Sequence, residues 1–252
     1  MGGFSPVLCE GSSEQSRDLR ARVDLFAGAA PTTVFIVGER GAGKATAART
    51  LHVRSARKAE PFFTYSPRGK TDLEIEVALF GGVDRGLLGD ADGGTLYIPD
   101  ADTLPLAVQE RLFNFHQQRE YRTKTSGKVV TANTWVIYAT ERDPAELIVE
   151  RTLSRSFYQI VSILRLDVPP LRERAEDLPL LVQELGKRIA PELSRMLQLP
   201  DSFWKALGEY EWPGNISELR ERLEVCFEQM RGLSAADMQA CMTQKAGDLP
   251  KD

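Results

Sequence analysis

The residues best suited to chemistry lie in one glycine-rich segment, residues 38–46, with the sequence GERGAGKAT. Glycines let backbone N–H groups converge on an anion, and a lysine such as Lys44 reaches the outer phosphates of a nucleotide. The apolar run before it, residues 34–37, predicts a buried strand, and the Ala-, Leu- and Arg-rich residues 45–57 predict a helix. This order of elements predicts a phosphate-binding loop made of Gly38, Glu39, Arg40, Gly41, Ala42, Gly43, Lys44, Ala45 and Thr46.

The residue that follows the lysine limits what this loop can be expected to bind. It is Ala45, whereas the general motif has a Ser or Thr hydroxyl that contacts Mg²⁺. The sequence therefore predicts a site for ATP or ADP with one metal contact missing, and it does not by itself predict bound Mg²⁺. The alternative is a plain strand-to-helix turn in which Lys44 only caps the turn.

Composition restricts the class of protein. The chain has 252 residues, of which 42% are hydrophobic and 27% charged, which suits one large globular domain or a domain with a small satellite. The net charge of −4 gives no global basic field for DNA or an anionic membrane. Cys9, Cys226 and Cys241 have no metal-ligand spacing, so we predict no metal site and a reduced, cytoplasmic compartment. No apolar run has membrane-spanning length, and no membrane partner is expected.

Hydrophobic periodicity predicts two kinds of architecture along the chain. Strands alternate with helices up to residue 167, which is typical of a parallel sheet covered on both faces; further strands are predicted at residues 61–65, 93–98, 134–140 and 163–166. A short helix is predicted at residues 72–80, ending at the two glycines 81 and 82. Beyond the Pro- and Arg-rich residues 168–174 the pattern is all helical, at residues 177–189, 201–210 and 217–231. We therefore predict an α/β nucleotide-binding domain with a five-stranded parallel sheet at 1–170, a small all-helical lid at 171–232, and a C-terminal tail at 233–252.

Several ordered motifs together resemble one family, the AAA+ central domain of bacterial enhancer-binding proteins, which activate sigma-54 RNA polymerase. The motifs are the glycine-rich loop, LFG at 79–81, ADGGTL at 91–96, LP at 104–105, PPLRER at 169–174, EDLPL at 176–180 and WPGNI at 212–216. The resemblance extends over roughly residues 11–230. It implies an AAA+ P-loop fold with a helical lid, ATP bound at a subunit interface in a ring, and as partners the chain itself or a related AAA+ regulator, RNA polymerase or another transcription protein.

The resemblance breaks at the positions that the family uses for hydrolysis. Where the family has the Asp-Glu pair that holds the metal and polarises water, this chain has Pro99 and Asp100. The polar sensor position holds Glu141. The arginines that act on the neighbouring subunit, and the lid arginine, fall on three residues without a positive charge: Ser154, Ile160 and Ser217. Since one arginine finger alone contributes about 10³–10⁵ in rate, we expect impaired hydrolysis.

Shifted residues offer an alternative to lost activity. Asp100 would act as a shortened base, Arg155 lies one residue from a family arginine, and Arg220 lies about one helical turn beyond Ser217. A working ATPase that uses these three residues therefore stays open. A third hypothesis is a nucleotide-free scaffold for protein interaction.

The partner-binding elements of the family are also missing from the sequence. Residues 82–92 contain no GAFTGA, the hexapeptide with which the family grips sigma-54, and residues 233–252 are too few for a helix-turn-helix. The resemblance therefore implies a regulator that does not remodel sigma-54 and carries no DNA-binding motif of its own, either as an excised central domain or as a free-standing protein.

Overall fold

A computed structural model describes residues 11–191 and 201–230 of the chain. Residues 19–39 and 44–168 form one compact unit, which we call the sheet unit, and the other described residues, 11–18, 40–43, 169–191 and 201–230, belong to a second, which we call the helical unit. Within the described part, no helix is long and apolar enough to cross a membrane. The predicted boundary near Pro170 stays a prediction, and the predictions for the tail at 233–252 lie outside the described residues.

The sheet unit is built on seven strands. They are β1 (Val34–Val37), β2 (Phe62–Thr64), β3 (Thr95–Ile98), β4 (Glu120–Arg122), β5 (Val129–Thr131), β6 (Trp135–Thr140) and β7 (Leu164–Asp167). Five of them form one parallel sheet in the order β2-β3-β6-β1-β7, and β4 pairs with β5 as an antiparallel hairpin. All residues of β3 and β6 are buried, because apolar groups cover both faces of the central strands. The predicted five-stranded parallel sheet is confirmed.

The first seven helices precede or connect these strands. They are α1 (Glu14–Gly28), α2 (Lys44–Arg54), α3 (Asp72–Phe80), α4 (Gly86–Asp90), α5 (Leu106–Gln118), α6 (Pro144–Val149) and α7 (Arg155–Val161). A 3₁₀ turn, Ala101–Thr103, follows β3. The core of the sheet unit joins α3, α5 and α7 to the sheet through residues such as Phe80, Leu112 and Phe157.

The helical unit has its own core. A 3₁₀ segment, Leu171–Asp177, leads into α8 (Leu178–Ile189), followed by α9 (Asp201–Glu209) and α10 (Asn215–Met230). Trp212, of which 1% is exposed, packs there with Leu171 and Leu219. The carboxylate of Asp177 accepts hydrogen bonds from the hydroxyls of Ser13 and Ser16, which ties the N-terminal residues 11–18 to this unit.

Some element boundaries differ from the sequence predictions. The helix predicted at 45–57 ends at Arg54, because the Ser55 hydroxyl donates to the His52 carbonyl and accepts from the Arg57 N–H in place of helix bonds. The strand predicted from residue 93 begins at Thr95, since Gly93 has a φ of 77°. The β4–β5 hairpin was not predicted, because strands of three residues give too short an alternation.

Candidate functional site

Parallel strand ends bring the candidate residues of the sheet unit to one edge. β1 ends at Val37, which pairs with Thr140 at the end of β6. β3 ends at Ile98, which pairs with Tyr138 of β6. The residues that follow these strands therefore leave the sheet together, at the edge where open α/β sheets bind ligands. They include Gly38 and Glu39 after β1, Asp100 after β3 and Glu141 after β6.

In the glycine-rich loop, the carbonyls of residues 40–42 accept hydrogen bonds, and the N–H groups of residues 40–43 are unpaired among the described residues. The carbonyl oxygens of Arg40, Gly41 and Ala42 accept hydrogen bonds from Asn215 Nδ2 (3.0 Å), the Ile216 N–H (3.2 Å) and Arg174 Nη2 (2.6 Å), all within the helical unit. The N–H groups of residues 40–43 donate to no group among the described residues. Consecutive unpaired backbone amides in a glycine turn are the donors of a phosphate cradle.

Glycine is required at position 41 of this loop. Gly41 has a φ of 75°, in the left-handed region that favours glycine. A Cβ there would also lie 2.2 Å from the carbonyl oxygen of Gly214. Any side chain at this position would therefore displace the loop backbone.

Lys44, the first residue of α2, holds its ammonium group against the loop. Its Nζ donates to the carbonyl oxygens of Gly38 and Glu39, each at 2.8 Å, and lies 3.7 Å from Oε1 of Glu141. Burial lowers the pKa of Lys44, although the negative charges of Glu141 and Asp100 oppose this shift. The lysine that would meet a phosphate is thus already held by two carbonyls and a carboxylate.

Asp100 is fixed by two partners that follow β2. Its carboxylate accepts hydrogen bonds from Arg68 Nη2 (2.6 Å) and Ser66 Oγ (3.0 Å). Burial alone would raise the pKa of Asp100, but these hydrogen bonds and the charges of Arg68 and Lys44 outweigh it and hold the pKa below its usual value. Asp100 is therefore an ion-paired carboxylate, with a backbone in the left-handed region (φ 55°, ψ 42°).

Arg68 also reaches Glu141, which makes one charged cluster of four side chains. Arg68 Nη2 lies 3.8 Å from Oε2 of Glu141, whose other oxygen faces Lys44. We call Lys44, Arg68, Asp100 and Glu141 the charged cluster. Sequence reasoning missed Arg68 and Ser66, because their place depends on β2 lying beside β3, and strand order cannot be derived from periodicity.

The residues present do not fit a Mg²⁺ ion. Ala45 has no hydroxyl to offer, and Pro99 has no carboxylate. Asp100 is paired with Arg68, so a divalent cation there would face a guanidinium charge. Within residues 11–191 and 201–230, no group of three His, Cys, Asp or Glu side chains is placed to hold a metal. Thr46, on the first turn of α2, is half-buried.

The structure places Arg155 away from the charged cluster. Arg155 is the exposed first residue of α7, and it lines a surface groove of about 700 Å³ together with residues of α5 and α6. No hydrogen bond or ion pair among the described residues joins it to the charged cluster. Ser154 caps α7 by accepting from the Phe157 N–H (3.5 Å), and Ile160 packs against the core of the sheet unit.

Arg220 lies on α10 of the helical unit. Its Nε lies 3.7 Å from Oε1 of Glu224, and the side chains of both residues are about half exposed. Ser217, one turn earlier on the same helix, has its Cβ 3.1 Å from the position that a Cβ on Gly41 would take. The part that Arg220 plays toward a nucleotide stays a prediction.

Two family models match consecutive parts of the chain. The model described as Sigma-54 interaction domain matches residues 9–167, and the model described as AAA+ ATPase lid domain matches residues 172–250. These matches together cover most of the chain, in the order that the sequence predicted.

Curated relatives are longer than this chain. The DNA-binding transcriptional activator HyfR of Escherichia coli (strain K12) is 31% identical over 233 residues, which cover 88% of this chain and 35% of HyfR. The transcriptional regulatory protein ZraR of Salmonella typhi is 32% identical over 225 residues, which cover 85% of this chain and 51% of ZraR. The chain thus spans between about a third and a half of the length of these relatives.

Among solved structures, NtrX from Brucella abortus in complex with ADP is similar to this chain with a TM-score of 0.82 and 28% sequence identity, covering 90% of this chain and 54% of that one. A crystal structure of NtrX in complex with ATP gives the same TM-score and identity, with 90% and 55% covered. The predicted α/β AAA+ P-loop fold followed by a helical lid is confirmed by these matches.

Proposed function

This chain belongs to the Sigma-54 interaction domain family, and we propose that it is the nucleotide-binding AAA+ domain of a bacterial transcriptional regulator of the sigma-54 activator type, one that holds ATP or ADP with little or no hydrolysis. The observation that carries this proposal is the composition of the charged cluster in the sheet unit. The loop and its lysine are kept, while an ion pair and a carboxylate stand where hydrolysis needs a free base and a polar sensor.

Nucleotide binding is supported by the loop and by a relative. The unpaired amides of residues 40–43 and the ammonium of Lys44 are the groups that bind phosphates in P-loop proteins. NtrX, at 28% identity over 90% of this chain, was crystallised with ADP and with ATP. A phosphate would replace the carbonyl and carboxylate partners that Lys44 now has.

Impaired hydrolysis is supported by the charged cluster. A general base must be within hydrogen-bond reach of the attacking water, directly or through one other water, and must be free to accept its proton. Asp100 is instead bound by Arg68 and Ser66, and its lowered pKa makes it a weaker base. Glu141 adds a negative charge 3.7 Å from Lys44, which opposes the charge that builds up on a transferring phosphoryl group.

We further propose that this chain assembles with a protein partner but does not remodel sigma-54. Residues 82–92 contain the five-residue helix α4 and no GAFTGA hexapeptide. We propose that the chain associates with itself or with a related AAA+ regulator, and through such an assembly with RNA polymerase or another transcription protein.

Thermal unfolding with and without nucleotide, combined with a steady-state ATPase assay, tests this function. ATP or ADP at 100 times its dissociation constant should add about 2.7 kcal/mol of stability. Lys44→Ala should abolish the shift, while the exposed Lys58→Ala serves as a matched control and should keep it.

Two results would contradict the proposal. Absence of any shift with ATP or ADP would favour the scaffold alternative. ATP turnover that both Lys44→Ala and Asp100→Asn abolish would favour the working ATPase that uses Asp100, Arg155 and Arg220.

A further inference from the structure

The charged cluster indicates which groups would neutralise the negative charge of the phosphates of a bound nucleotide. We propose that this chain binds nucleotide without a divalent cation, and that the Arg68 guanidinium supplies beside Lys44 the positive charge that Mg²⁺ brings in other P-loop proteins. The inference rests on the nucleotide-binding function proposed above and names how that same site recognises its ligand.

Two positions that hold Mg²⁺ in P-loop proteins have no metal ligand in this chain, and a cation lies beside them. P-loop proteins hold Mg²⁺ with the Ser or Thr after the lysine and with an acidic residue at the end of the third strand. Here those two positions hold Ala45 and Pro99. The carboxylate that directly follows Pro99, that of Asp100, is bound to Arg68 at 2.6 Å. A guanidinium therefore pairs with the carboxylate that a metal would otherwise approach.

Arg68 has N–H donors that its two carboxylate partners do not use. Its ion pairs with Asp100 and Glu141 are both made through Nη2. Its Nη1 and Nε donate to no group among the described residues. The side chain is 58% exposed. A guanidinium carries five N–H donors in a planar fork that suits phosphate oxygens. Arg68 can therefore bind a phosphate without giving up Asp100.

Glu141 lies between Lys44 and Arg68, where a phosphate group would bind. One oxygen of its carboxylate faces Lys44 at 3.7 Å and the other faces Arg68 at 3.8 Å. The two cations thus share one anion, at distances longer than a direct hydrogen bond. A phosphate group, which presents more oxygens and more charge than a carboxylate, can take this place between them. An outward turn of the 31% exposed Glu141 side chain would admit it.

Isothermal titration of the full chain with ATP and with ADP, once in excess MgCl₂ and once in excess EDTA, tests the inference. We expect the dissociation constants in the two buffers to agree within about threefold. Arg68→Gln should weaken binding in EDTA by about tenfold or more, because it removes charge-assisted hydrogen bonds. Arg165→Gln is the matched control, since Arg165 is 45% exposed and pairs through Nη2 with Asp167 at 2.7 Å; it should bind as the unmodified chain does.

The possible outcomes separate failure of this inference from failure of the proposed function. Binding of nucleotide by the unmodified chain only in MgCl₂ would overturn the inference and leave the proposed function standing. Equal affinities of Arg68→Gln and the unmodified chain in EDTA would also overturn it. No binding in either buffer would overturn the proposed function itself. Thermal unfolding without nucleotide checks that Arg68→Gln is folded. If this variant is unfolded, the comparison of the two buffers with the unmodified chain still decides whether nucleotide binding needs a divalent cation.

Discussion

Replacing Glu141 by glutamine should tighten the binding of ATP. The Glu141 carboxylate is 3.7 Å from Lys44 Nζ, so a phosphate oxygen hydrogen bonded to that Nζ would lie within about 6.5 Å of it. Two unit charges at this separation repel by about 2.5 kcal/mol at an effective dielectric constant of about 20. Because the Glu141 side chain is 31% exposed, solvent and salt reduce the repulsion to about 1–1.5 kcal/mol, or about tenfold in dissociation constant.

Titration of ATP and ADP into Glu141→Gln measures this effect. The gain should be larger for ATP than for ADP, since ATP has one more phosphate and more negative charge. Glu150→Gln is the matched control, because Glu150 is also ion-paired to an arginine but is 46% exposed and has no contact with Lys44. Weaker or unchanged ATP binding by Glu141→Gln would refute the view that this carboxylate opposes the outer phosphate.

Two further predictions concern stability, both measured by urea denaturation. Burial lowers the pKa of His116 to about 3, whereas the pKa of an unfolded histidine is about 6.5. As the pH falls, the unfolded state therefore binds a proton before the folded state does. The free energy of unfolding should fall by about 2 kcal/mol from about pH 6.5 to about pH 5. His116→Gln should reduce that slope and leave the contribution of His52, whose pKa burial also lowers; an unchanged slope would contradict the reasoning. Asn215→Ala should cost about 3 kcal/mol, because its buried amide bonds the Leu171 N–H (2.7 Å) and the Arg40 carbonyl (3.0 Å). A loss below about 1 kcal/mol would mean that water replaces both bonds.

The elements that sequence reasoning located well are those with strong local signals. The helix predicted at 72–80 has the same bounds in the structure, because Thr71 and Glu74 form a capping box at its start and Gly81 ends it. The strand before the glycine-rich loop was found because it is an uninterrupted apolar run between polar turns. In each case the residues that decide the structure are neighbours in sequence.

The charged cluster could be predicted only in part, because it depends on contacts between strand ends that are far apart in sequence. Glu141 was expected to face an outer phosphate, and the structure places its carboxylate beside Lys44. The Arg68–Asp100 pair joins residues 32 positions apart and requires that β2 lie next to β3. The sequence places Asp100 at the end of β3, but it does not show that Arg68 is its partner.

The backbone at Asp100 affects any variant that carries glutamate at this position. Its φ of 55° belongs to a region where Asp and Asn are tolerated better than most side chains, and its carbonyl oxygen accepts from the N–H and the hydroxyl of Thr103 (2.9 and 2.8 Å), which closes the following turn. Asp100→Glu alone would therefore add a longer carboxylate to a strained corner, at a cost of about 1 kcal/mol. A variant with glutamate here would first require a corner whose backbone accommodates that residue, together with the release of Arg68 from its ion pair.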